Sequence, residues 1–172
     1  MKRAAAGIAV SLAVATAGCA ARTAGDGAET PAWSAIEMEM FSWGAPVFRW
    51  RIDAEGNAIY TYSRTVQSGR PRDYDLVTHR FSAGRAGFAR VSSLLARAAR
   101  GYECDIQVTD LPYGRIIWTR AAAPPLQRNF NSGCLSAAAN AAYAGMDAAG
   151  RLMHDWAAAV PAGDVQEVRE PR

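Results

Sequence analysis

Residues 47–63, VFRWRIDAEGNAIYTYS, alternate, turn and alternate again. In Val47–Ile52 the apolar Phe48, Trp50 and Ile52 share one face and Arg49 and Arg51 the other, which is the period-two pattern of a half-buried strand. Asp53-Ala54-Glu55-Gly56-Asn57 is rich in turn formers, and Gly56 can take positive φ without a Cβ penalty. Ala58–Ser63 is aromatic and β-branched, so the whole stretch predicts a β-hairpin.

Working outward, Ile36-Glu37-Met38-Glu39-Met40 alternates in the same way, predicting a strand whose glutamates face solvent. On the solvent side of one sheet, Glu37 and Glu39 would meet Arg49 and Arg51, and cross-strand opposite charges contribute roughly 0.2–1 kcal/mol each. A polar loop, Gln67–Asp73, leads to a further strand pattern at Tyr74–Phe81. The period then switches: Phe88, Val91, Leu95 and Ala98 recur at helical spacing, with Ser82 as N-cap and Gly101 as stop, so a helix is predicted over 83–100. Strand patterns return at Cys104–Thr109, Arg115–Arg120 and Leu126–Asn131. A second helix, 137–160, follows from the stripe Tyr143, Met146, Met153, Trp156 and Val160, and Pro161 ends it. Strands closed by a helix, twice over, predict an α+β fold: an antiparallel sheet of about five to seven strands with both helices on one face. The two halves also read as a candidate repeat of hairpin plus helix.

The amino terminus has a different character. Lys2 and Arg3 precede an apolar run, Ala4–Val14, and then the small residues Ala15-Thr16-Ala17-Gly18. That is the layout of a secretory signal, and its apolar run falls well short of the roughly 20 residues a spanning helix needs. Ala15-Thr16-Ala17 satisfies the small-x-small rule for cleavage after Ala17. Thr16-Ala17-Gly18-Cys19 resembles the lipobox of bacterial lipoproteins, departing from it at Thr16, where Leu is usual. The resemblance implies that Cys19 carries lipid and becomes the first residue of the mature chain. Ala20 and Ala21 after it imply sorting to the outer membrane, facing the periplasm. Together the element order and the signal resemble small envelope lipoprotein domains. The implied organisation is a signal peptide over 1–18, a flexible tether over 19–32, one globular domain over 33–161, and a disordered tail over 162–172.

Cysteine arithmetic agrees with an anchor. The chain has three cysteines, Cys19, Cys104 and Cys134. With Cys19 acylated, the other two are left to pair in an oxidising compartment. They lack Cys-x-x-Cys spacing, which favours a structural staple over a redox site.

Charge narrows the partners. The net charge is +3. Of the 19 basic residues, Lys2 and Arg3 leave with the signal, so 17 remain against 16 acids. A nearly neutral domain without a basic run argues against nucleic acid and against a polybasic membrane patch.

No catalytic constellation emerges. His79 lies within a strand pattern and His154 near a helix end, and both read as structural. No metal-ligand spacing, nucleophile elbow or phosphate-cradling loop appears, and no cofactor is implied. Ser132 beside Gly133 reads as a turn before Cys134. Two surfaces remain as interaction candidates: the loop Asp110-Leu111-Pro112-Tyr113-Gly114-Arg115, with Asp110, Tyr113 and Arg115 as its recognition residues, and the helix face carrying Arg90 and Arg97. The favoured expectation is a lipid-anchored, non-enzymatic envelope module that binds a protein or the cell wall. The alternative is an envelope hydrolase or small-ligand binder with a carboxylate–arginine site holding Asp105 or Asp110.

Overall fold

The structure, a computed structural model, describes residues 33–65, 74–161 and 165–168. The candidate signal, Cys19, the tether and the 67–73 loop lie outside the described residues. Nine elements follow in order: β1 (Trp33–Ser42), β2 (Ala45–Asp53), β3 (Asn57–Thr65), β4 (Tyr74–Ser82), α1 (Gly84–Arg100), β5 (Tyr113–Arg120), β6 (Leu126–Asn131), α2 (Ala137–Ala158) and β7 (Val165–Val168). Among the described residues the strands form one seven-stranded sheet in the order β6-β5-β1-β2-β3-β4-β7. Every neighbouring pair is antiparallel. The fold is the expected α+β arrangement.

The hairpin that opened the sequence forms as predicted. Asp53 closes its turn by accepting hydrogen bonds at Oδ1 from the Glu55 and Asn57 backbone N–H groups (3.0 and 2.9 Å) and at Oδ2 from Asn57 Nδ2 (3.1 Å). Gly56 turns at φ +89°, where a Cβ would strike the Gly84 carbonyl oxygen at 2.2 Å. That closeness, with the Ala83 N–H donating to the Gly56 carbonyl at 2.8 Å, packs the turn against the start of α1.

Alternation along the central strands sends one set of side chains to the helices. Ile36, Met38, Trp50, Ile52, Tyr60, Ile116, Trp118 and Phe130 join Val91, Leu95, Met146 and Met153 in one core. Trp33 lies 6.2 Å from Trp118 by ring centroids, and the Arg120 guanidinium sits 4.5 Å over the Trp33 ring. The two helices approach closely because Gly145 of α2 packs on α1: a Cβ there would meet the Leu94 carbonyl oxygen at 2.1 Å.

Four details depart from the sequence reading. α1 begins at Gly84 with Ala83 as N-cap and no side-chain cap, because Ser82 is held in β4 opposite Asn57. α2 ends at Ala158, and its buried stripe is Ala139, Ala142, Met146, Ala149, Met153 and Ala157, four alanines that allow close packing and two methionines that fill the core. Cys104–Thr109 is a loop with a single bridge, Gln107 to Cys134, and not the strand its pattern predicts. Val165–Val168, assigned from sequence to a disordered tail, is β7, which fills the edge left by β4. The candidate repeat of hairpin plus helix does not appear: four strands precede α1, and two lie between the helices.

Cys104 and Cys134 form a disulfide, with Cα atoms 5.3 Å apart. It ties the loop after α1 to the β6–α2 connection, where the sequence reading had placed a strand-to-helix staple.

Candidate functional site

Both helices pack on one face of the sheet, and among the described residues no element covers the other. The register arranges that open face in transverse rows. One row reads Asn129, Arg115, Glu39, Arg49, Thr61 and Thr78 across β6, β5, β1, β2, β3 and β4. The next reads Gln127, Ile117, Glu37, Arg51, Ile59 and Arg80. The first row is polar throughout, and the second interleaves charge with two isoleucines.

The central part of these rows lines a hollow of about 470 Å³, within the range of small-ligand and peptide sites. Glu37 accepts from Arg51 Nε at 3.2 Å, and Glu39 pairs with Arg115 at 2.6 Å. Arg49 lies opposite Glu39 in the register, yet Glu39 bonds to Arg115 on its other side. Arg49 and Arg80 are exposed and have no ion-pair partner among the described residues. Four arginines therefore face two glutamates, an excess of two positive charges. Between the unpaired arginines, Thr61 and Thr78 share a hydroxyl–hydroxyl bond of 2.9 Å. One such bond uses one of the two O–H hydrogens, leaving the second for another acceptor.

At the turn beyond Arg51, the carboxyl of Asp53 is held below its ordinary value. Burial, the largest single influence, raises it, but the bonds from Asn57 and Glu55 and the Arg51 charge together outweigh burial. On the helix side Tyr60 is pushed up to about 12, chiefly by burial and secondly by Tyr62. Tyr102 is raised further, by burial first and then by its hydrogen bond to Tyr143. A second hollow, about 410 Å³, lies on that side among Met40, Phe48, Tyr60, Phe130, Tyr143 and Met146.

The residues singled out in the sequence separate. Tyr113 and Arg115, two apart on β5, both join the open face, Tyr113 stacking on Phe41 at 5.9 Å. Asp110 is left outside in a turn at φ +68°, exposed, and so is Asp105; neither lines the two hollows described here. Asp110, Tyr113 and Arg115 thus do not form one loop site. Arg90 and Arg97 lie exposed on α1, a helix that packs on the covered side of the sheet. Ser132 donates to the Pro112 carbonyl at 2.6 Å, as a turn residue would. His79 is buried against Tyr62 and His154 stacks on Tyr60, each at 5.9 Å. Among the described residues no three His, Cys, Asp or Glu side chains cluster to hold a metal, and no helix is long and apolar enough to cross a membrane.

Sequence reasoning missed Arg80, Thr61 and Thr78. The signal lay in the alternation of Tyr74–Phe81, which puts Thr78 and Arg80 on the face opposite Val77, His79 and Phe81, but only strand register joins them to Arg49. No protein-family model, curated protein or solved structure matches the chain.

Proposed function

We propose that this chain is a lipid-anchored envelope protein, exported and facing the periplasm, whose folded domain is a non-enzymatic binding module that docks a partner on its open sheet face. The observation that carries the reading is the pair of cross-strand rows: a broad, charge-patterned surface that no described element covers. Exposed arginines on strands are pre-positioned for charge-assisted pairing, and an antiparallel sheet can keep one face in water without cost to its core. The carboxylates of that face are engaged by arginine, which suits recognition better than proton transfer. The anchor is supported by the Thr16–Cys19 motif and by the pairing of the two other cysteines. A protein or cell-wall partner in the envelope fits such an anchored module.

The test is crosslinking in intact cells, recovery of the tagged full-length chain in detergent, and identification of partners by mass. Charge reversal at Arg49→Glu with Arg80→Glu is compared with Arg90→Glu and Arg97→Glu on α1. One dominant envelope partner, lost in the first variant and kept in the second, is expected. Loss only in the α1 variant, or no partner in any sample, would overturn the reading.

A further inference from the structure

We infer that the open face recognises an acidic peptide segment of its partner, held by Arg49 and Arg80 across the Thr61–Thr78 hydroxyl pair; this rests on the open-face reading above. The face already shows how it binds carboxylates. Arg51 and Arg115 each take one, from Glu37 at 3.2 Å and from Glu39 at 2.6 Å. Arg49 and Arg80 present the same donor fork with no carboxylate among the described residues to fill it. The excess charge is therefore local, confined to the β2–β4 side, while Glu37 and Glu39 make the β1 side unfavourable for an anion.

Spacing selects a peptide. Arg49 and Arg80 lie two strands apart and one register row apart, because Arg49 pairs with Thr61, Thr61 with Thr78, and Arg80 with Ile59. With strands about 4.8 Å apart and a rise of about 3.4 Å per residue, their Cα atoms are separated by roughly 12 Å. That is about the span of two acidic residues four apart in an extended chain. Between them the floor offers a hydroxyl pair with one O–H to donate and the half-buried Ile59, so a segment carrying an acid at each end and small polar or apolar residues between meets complementary groups along its length.

The probe is fluorescein-labelled poly-L-glutamate, titrated by anisotropy against the full-length chain in detergent at low salt. Arg49→Gln and Arg80→Gln should each weaken binding about threefold to tenfold. Arg97→Gln on α1 should leave it unchanged. Glu39→Gln should tighten it, because the competing carboxylate is removed, a sign that a structural role would not produce. Poly-L-lysine should not bind, and inorganic phosphate should displace the probe poorly at equal charge concentration. Failure of poly-L-glutamate to bind, equal weakening by Arg97→Gln, or efficient displacement by phosphate would overturn the acidic-peptide assignment. If the partner recovered from cells still depends on Arg49 and Arg80 while poly-L-glutamate fails, this inference falls and the open-face reading stands. If that dependence is missing, the reading itself falls.

Discussion

The two faces of the sheet are made by alternate residues of the same strands, and they have opposite characters. On β1 and β2, Ile36, Met38, Trp50 and Ile52 turn to the helices and are almost fully buried, while Glu37, Glu39, Arg49 and Arg51 turn to solvent. The covered face is held by area removed from water, which is non-directional and large in sum. The open face adds little to stability, because exposed ion pairs contribute about 0–1 kcal/mol. Its patterning, which runs across six strands, is what the proposed docking function uses. The lesson is one of division of labour: the same backbone register that builds the core delivers a charged array to the other side at no cost to that core.

That contrast can be broken at its strongest point first. Trp118 is 0 % exposed on the covered face. Trp118→Ala should cost about 3–5 kcal/mol in urea unfolding, whereas Arg49→Ala should cost less than about 1 kcal/mol. Comparable losses at the two positions would erase the distinction. Next in size is the Cys104–Cys134 bridge, which closes a loop across a separation of 30 residues. Replacing both by Ser should lose roughly 3–4 kcal/mol on the chain-entropy account, measured by the urea midpoint, without changing poly-L-glutamate binding to the rows. Loss of that binding would make the bridged loop part of the site.

Alkali distinguishes the faces in another way. Tyr60 on the covered side is pushed up to about 12 from 10.0, and Tyr102 moves in the same direction. A raised folded-state value means the unfolded chain binds fewer protons over that range, so stability is fully present below about pH 10 and falls as pH rises towards 12. The melting temperature should drop between about pH 10 and about pH 12, and Tyr60→Phe should flatten that drop. An unchanged slope in the variant would remove Tyr60 from the account. Smallest is Glu39→Gln, which breaks the pair with Arg115 and should shift stability by no more than about 1 kcal/mol, read by the same urea titration. A larger loss would give the open face a structural role.

How much of this was legible in the sequence depended on distance along the chain. The hairpin at 47–63 could be read from neighbours alone, because alternation and turn chemistry are local. The helices could be read from their stripes, and the pairing of Glu37 and Glu39 with β2 followed once two strands were placed side by side. Arg115 closes the candidate loop and opens the Arg115–Arg120 strand pattern, but nothing local says that β5 inserts beside β1. Arg80 was not noticed, because it becomes a neighbour of Arg51 only through β3, two strand pairings away. Cys104–Thr109 carries β-branched residues yet makes a single bridge, from Gln107 to Cys134, whereas Val165–Val168 pairs along β4. Propensity alone does not say which segments pair, because that depends on strands distant in the chain.

The central claim is that the partner sits on the open face. It is tested most directly by placing a photo-crosslinking amino acid at position 49 or 80, or at 90 or 97, of the full-length chain in intact cells. The account predicts that positions 49 and 80 capture the same envelope protein while 90 and 97 capture none. Crosslinks from 90 or 97 alone, with none from 49 or 80, would contradict it.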